Sequence, residues 1–148
     1  KTRQIKDRYM KTYRGVPHYW KSAVRSAEEL GYCETMGHRR IILNNMSKYE
    51  QQQTAINFKI QGTGGDMKEL AIAELSSEFC ADVVYAWDLH DALFIYVRDD
   101  DRALATVKRI RSKLDNLPYH RAWGWTPSVA LPWDAKLGKT WGTLKGVE

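Results

Sequence analysis

Two apolar runs of strand length, Val83-Val84-Tyr85-Ala86-Trp87 and Phe94-Ile95-Tyr96-Val97, flank the segment Leu89-His90-Asp91-Ala92-Leu93. Runs this close in sequence, rich in β-branched and aromatic residues, read as a β-hairpin with a tight turn. They commit this part of the chain to antiparallel pairing. The turn carries one carboxylate, Asp91. An aspartate at a strand-strand turn is ordinary turn chemistry, because it bonds its own backbone and tolerates unusual dihedrals.

The rest of the chain surrounds this hairpin with helical patterns. Ile5, Tyr9, Met10 and Tyr13 form one stripe at spacings of three and four, predicting a helix over residues 2 to 14 that Gly15-Val16-Pro17 interrupts. A second helix begins near Pro17 and runs through Trp20, Ala23, Val24, Ala27 and Leu30 to stop at Gly31. Tyr32 to Thr35 and Arg39 to Leu43 predict a small hairpin with its arginines at the turn. Asn44 to Lys48 is a loop leading into a helix through Ala55-Ile56-Asn57. A fresh helix is expected near Thr63 to Asp66, with Asp66 at its N-terminus, continuing through Leu75 to Phe79. Asp99-Asp100-Asp101 starts a further helix that ends at Asn116-Leu117-Pro118, and Ser128 to Trp133 predicts a last strand that Pro132 confines to an edge or bulge. The sum is α+β: a small antiparallel sheet with helices packed on one face.

At 148 residues the chain has the length of one domain with a core of its own. Its net charge of +5 is uneven, with 12 Lys or Arg against 5 Asp or Glu in residues 1 to 60 and 11 against 13 in residues 61 to 148. A basic front half is the footprint of a phosphate-bearing partner, or else a solvated helix surface. Cys33 and Cys80 form no C-x-x-C pair and read as two reduced thiols in a cytoplasmic setting. The four histidines show no metal-ligand spacing. No apolar run approaches the length of a membrane helix. Gly138-Lys139-Thr140 resembles the end of a phosphate loop, but Trp133 stands where that motif needs glycine.

Three blocks carry the most specific signal: Gly31-Tyr32-Cys33-Glu34-Thr35-Met36-Gly37-His38-Arg39-Arg40, then Ala55-Ile56-Asn57-Phe58-Lys59-Ile60-Gln61-Gly62-Thr63-Gly64-Gly65-Asp66, then Leu89-His90-Asp91-Ala92-Leu93. In that order they resemble the C-terminal part of the palm of an A-family DNA polymerase, the bacterial polymerase I type. Tyr13 to Pro17 and Trp133 to Trp141 extend the likeness over nearly the whole chain. The resemblance implies a palm fragment with a helical pair in residues 1–30, a basic hairpin and DNA-contact segment in 31–60, and the palm core in 61–148. It implies that Asp91 is a catalytic, metal-binding aspartate for a two-ion Mg2+ site, and that His90 steadies the turn at the primer terminus. It further implies that Asn57 and Gln61 face the minor groove of a DNA primer-template, where the acceptors of all correct pairs occupy similar places. Arg39 and Arg40 would meet DNA phosphates.

The chain also departs from the family pattern. Ala92 stands where glutamate normally follows the aspartate, Gln53 where a basic residue is expected, and Gly64-Gly65 where paired alanines are usual. Asp88 is a possible substitute for the missing carboxylate, usable only if the turn begins early. The first carboxylate motif and the fingers helix that holds the incoming deoxynucleoside triphosphate have no counterpart here. The resemblance therefore implies either a C-terminal fragment of a longer polymerase or, the preferred reading, a separate subunit of the split kind expected in a virus, its active site completed by a second polypeptide and inactive alone. The alternative is a non-catalytic DNA-binding or scaffold protein derived from such a palm. Trp123, Trp125, Trp133 and Trp141 are expected to anchor packing or an interface, and apolar surface should be exposed where the partner belongs.

Overall fold

The interruptions in the sequence pattern become element boundaries. The structure, a computed structural model, describes residues 2–147. Helix α1 spans Thr2–Thr12, and its apolar stripe stays outside: Ile5 is 70% exposed, and the rings of Tyr9 and Tyr13 pack on each other at 4.8 Å. Helix α2, Gly15–Leu30, carries Pro17 in its first turn, where a missing N–H leaves no bond unmade. It ends at Gly31, whose φ of 75° lets its N–H cap the Ala27 carbonyl.

Two compact units divide the chain, Lys1–Thr63 and Gly64–Glu148. In the first, strand β1 (Tyr32–Glu34) pairs antiparallel with β2 (Arg40–Ile42), Tyr32 opposite Ile42 and Glu34 opposite Arg40. Helix α3, Lys48–Asn57, opens with a capping box: the Glu50 N–H donates to Ser47 Oγ and the Ser47 N–H to the Glu50 carboxylate. Ala27, Cys33, Leu43 and Ala55 form the buried core, with Val24, Ile41, Met46 and Phe58 packed around it.

The polypeptide does not leave the helix at Asn57. It widens into a π turn over Phe58–Gly62 and resumes directly as α4, Thr63–Leu75. The expected fresh start near Thr63 is thus absent, and Asp66 lies inside a continuing helix rather than at an open N-terminus. The glycines here cost helix propensity without ending the helix, because Thr63 is held by side-chain bonds at its buried position. Ala55 and Thr63 are both buried. In an unbroken α-helix, residues eight apart sit about 80° apart around the axis; absorbing one residue in a wide turn cuts this to about 20° and places both on one face.

In the second unit, α4 stops at Leu75 rather than near Phe79, since Ser76 turns its hydroxyl back onto the Ala73 carbonyl and a 3-10 turn follows over Ser76–Glu78. Strand β3 (Val83–Leu89) and strand β4 (Ala92–Val97) form the expected hairpin, and helix α5 covers Ala103–Asp115. A short helix, α6 at Tyr119–Trp123, follows without an advance signal in the sequence reading. Ala71 and Leu75 are fully enclosed among Val83, Ile110, Leu114, Leu117 and Tyr119, and Trp123, Trp125 and Trp133 pack onto this core. The strand expected over residues 128–133 does not form. Pro132 has no N–H, and the N–H of Trp133 donates to Asp115 Oδ1 at 2.6 Å, so neither can join a ladder. Pairing occurs instead between β5 (Lys136–Leu137) and β6 (Lys145–Gly146). The α+β class stands, but among the described residues the strands form three separate antiparallel pairs rather than one small sheet. Among the described residues no helix is long and apolar enough to cross a membrane.

Candidate functional site

The β3–β4 register fixes the turn. Asp88 lies opposite Leu93 and Leu89 opposite Ala92, which leaves His90 and Asp91 as a two-residue loop. Loops of this length favour positive φ, and His90 adopts 54°. Asp91 is exposed at the tip and lines a cavity of about 620 Å³, together with Gly64, Met67, Lys68 and apolar residues of β4 and α5.

Farther down β3, the register slips by one between Tyr85 and Trp87, so Ala86 is a bulge. The slip puts Asp88 on the same face as Tyr85 and Val83, opposite Leu93, Ile95 and Val97. Tyr85 there donates its hydroxyl to Asp88 Oδ1 at 2.6 Å, and the Lys68 ammonium, largely buried, donates to Asp88 Oδ2. The Lys68 bond, and after it the Tyr85 bond, hold the Asp88 carboxyl below the usual carboxylate range. The same hydrogen bond pushes the Tyr85 phenol up to about 12. Both Asp88 oxygens are thereby engaged, so the possible substitute for the missing glutamate is committed to a lysine and a tyrosine of its own unit. Lys68 and Tyr85 were not singled out by sequence reasoning, since their meeting depends on a one-residue slip that no periodicity announces.

The outer face of the hairpin carries Val84, Trp87, Leu89, Phe94 and Tyr96. Trp87 stacks on Phe94 at 5.1 Å and Phe94 on Trp141 at 4.8 Å, while Tyr96 and Trp141 are each 63% exposed. Trp141 thus differs from the other three tail tryptophans, which pack on the core.

In the first unit, Asn57 just before the π turn and Gln61 within it are both exposed. The tip of the β1–β2 hairpin docks beside them. Arg39 donates from Nη2 to the Gly62 carbonyl at 3.0 Å and lies over the Phe58 ring at 5.4 Å. The Met36 N–H donates to Thr63 Oγ1 at 3.0 Å, and Thr63 Oγ1 donates to the Lys59 carbonyl. Arg40 pairs with Glu34 and stacks over Tyr32 at 4.6 Å; Arg40, followed by His38, draws the Glu34 carboxyl below its ordinary range. The structure thus sorts the residues of interest into two groups: His90 and Asp91 on one turn of the second unit, and Asn57, Gln61 and Arg39 at one π turn of the first, with Arg40 held by Glu34 and Tyr32 on the adjoining hairpin.

Aspartate oxygen is a hard donor of the kind magnesium takes, and Asp91 is the open carboxylate of this turn. Ala92 offers none. Among the described residues, no three His, Cys, Asp or Glu side chains gather closely enough to hold a metal ion. Asp91 therefore fits a share of a magnesium site, not a whole one.

Comparison with known proteins gives this geometry its frame. The family described as DNA polymerase family A matches residues 1–143. DNA polymerase I of Lactococcus lactis subsp. lactis (strain IL1403) is 27% identical over 153 residues, covering 93% of this chain and 16% of that protein. DNA polymerase I of Geobacillus stearothermophilus is 27% identical over 145 residues, 94% of this chain and 16% of that protein. DNA polymerase theta of Drosophila melanogaster is 26% identical over 163 residues, 98% of this chain and 7% of that protein. The chain spans a small part of the length of each relative. With nearly all of its length matched, from α1 through the hairpin turn to Trp141, the chain belongs to DNA polymerase family A.

Proposed function

We propose that these residues form the C-terminal palm part of a template-directed DNA polymerase, in which Asp91 contributes one carboxylate to a shared magnesium site. The observation that carries this reading is the turn itself: in a family A chain, a two-residue loop presents Asp91 outward while Lys68 and Tyr85 hold the neighbouring Asp88. Bound magnesium would activate the primer 3′-hydroxyl and stabilise the departing pyrophosphate. The chain's own part is to fix where the carboxylate stands. His90, in its left-handed conformation, sets the direction of the Asp91 backbone and places an imidazole beside the primer end. Asn57 and Gln61 offer amides to the minor-groove acceptors of the newest base pairs, a check on pair shape rather than sequence. Arg40 adds positive charge beside the phosphates.

The remaining carboxylates and the groups that hold the deoxynucleoside triphosphate come, in this reading, from outside these residues, and the split-subunit form of the proposal places them in a second polypeptide. Two exposed apolar surfaces support that partner: the α1 stripe of Ile5, Tyr9 and Tyr13, and the outer hairpin face with Trp87, Tyr96 and Trp141. Primer extension in magnesium, with this chain and the product of the adjacent reading frame apart and together, tests the proposal. Incorporation only in the mixture, abolished by Asp91→Ala, is expected; undiminished incorporation by Asp91→Ala refutes it. One observation favours a second reading, that of a non-catalytic DNA-binding scaffold: Ala92 leaves the turn one carboxylate short. That reading requires primer-template binding without extension in any mixture.

A further inference from the structure

We infer that Arg39 serves the duplex through the helix: it is a positioning residue that holds in its wide form the π turn that follows Asn57 and carries Gln61. The inference rests on the duplex-facing role proposed for those two amides. A π turn is rarer than the α-helix around it and persists where outside contacts hold it. Here the hairpin tip supplies such contacts along its length. Arg39 lies over Phe58 at the start and bonds the Gly62 carbonyl at the end, while Met36 bonds Thr63 just beyond. Arg39 is in turn seated by its own N–H, which donates to Oγ1 of the buried Thr35 at 3.1 Å.

The fit is close. A Cβ built on Gly62 would stand 2.7 Å from Thr35 Cγ2, closer than side chains approach, so the tip and the π turn touch as backbone against methyl. Were the turn to relax to ordinary helix, residues beyond it would rotate by about 100° relative to those before it. Either Thr63 would leave its buried position or Gln61 would lose its orientation relative to Asn57. A flat guanidinium suits this clamp because it can lie on the Phe58 ring while donating in its own plane to the carbonyl; an ammonium cannot do both.

Three variants of the full chain test the inference: Arg39→Ala, Arg39→Lys, and Gly62→Ala, which displaces the tip without changing charge. Amide hydrogen exchange over residues 58–63, without DNA, should quicken in all three by roughly threefold to tenfold, the scale of one typical hydrogen bond. Unchanged exchange in Arg39→Ala overturns the inference. In primer-template binding, each variant should weaken affinity with the salt dependence unaltered, and the loss should vanish when Asn57 and Gln61 are both alanine. A salt slope lowered by about 0.9, with Arg39→Lys behaving as the parent and the loss surviving in the double-alanine background, marks a plain phosphate contact and also overturns it. Quickened exchange together with no effect of Asn57→Ala or Gln61→Ala on binding leaves the clamp standing and refutes the duplex role of the amides instead.

Discussion

Tyr85 and Asp88 are three residues apart on one strand, yet their side chains meet on the same face, with the tyrosine hydroxyl 2.6 Å from the carboxylate. In a regular strand, residues three apart point to opposite faces. The bulge at Ala86 alone permits the contact, and it delivers Asp88 to Lys68 as well. The bulge therefore separates the two carboxylates of the hairpin by role: Asp88 becomes internal structure, and Asp91 stays open at the tip.

The pH dependence of that arrangement has a definite sign. The folded-state pKa of Asp88 is depressed, first by Lys68 and next by Tyr85, so its stabilising contribution is present above the ordinary carboxylate pKa, near 3.9, and is lost as pH falls through the folded value. Lys68→Met removes the largest cause and should move this acid loss to higher pH, read from thermal midpoints across the acid range. At the alkaline end the sign reverses. The Tyr85 pKa is raised to about 12, so its contribution holds below the ordinary tyrosine value and fades as pH rises toward that figure. Ultraviolet titration of phenolate should lose amplitude near pH 12 in Tyr85→Phe; an unchanged titration would contradict the hydrogen bond.

Asp91 is exposed and belongs to neither core, so its removal should leave the fold alone. Asp91→Ala is expected to hold the melting midpoint within about 2 °C, the scale of an unconstrained surface change. In the reconstituted polymerase it should cut incorporation by at least about 100-fold, equivalent to about 2.7 kcal/mol of lost transition-state stabilisation. The exposed Ala92 gives the converse test. Ala92→Glu restores an oxygen donor beside Asp91 and should lower the magnesium concentration needed for half-maximal extension. A higher requirement in that variant would argue against a metal at this turn.

The two roles proposed for His90, in the turn and at the primer end, can be parted by substitution. Its φ of 54° is uncomfortable for a side chain with a Cβ, and worse for a β-branched one. His90→Gly should therefore be near neutral in stability, while His90→Val should cost about 1 to 2 kcal/mol in denaturant unfolding. If His90→Gly keeps the fold but loses extension, the imidazole acts on the primer end. Full extension by that variant would reduce His90 to a turn residue.

What the sequence made legible was local. The two apolar runs within residues 83–97, the glycine at 31 and the aspartates at 99–101 each act within a few residues, and the hairpin, the end of α2 and the approach to α5 follow from them. What stayed hidden depended on partners distant along the chain. The Trp133 N–H is claimed by Asp115, eighteen residues away, and this removes the strand that alternation predicted. The helix runs through Gly62-Thr63-Gly64-Gly65 because the β1–β2 tip holds the π turn, although glycine propensity argues for a break there. For the site the same division holds: the family motifs pointed to Asp91, Asn57 and Gln61, whereas Lys68, Tyr85 and Thr35 emerge only once registers and turns are known.

The stability of the second unit should be concentrated at the end of α4. Leu75 is fully enclosed, and its neighbours in the core come from β3, from α5 and from the segment that follows α5. Truncation there removes apolar contacts on several sides at once, and the surrounding elements cannot all close on the gap. Leu75→Ala is expected to cost about 3 kcal/mol in denaturant unfolding, within the range for enclosed leucines. Leu104→Ala, on the exposed side of α5 where Leu104 is 49% accessible, should cost less than about 1 kcal/mol. Both are read from the shift of the denaturant midpoint, with the slope of the transition checked for constancy. Equal costs for the two variants would show that the packing around Leu75 is looser than its complete burial indicates.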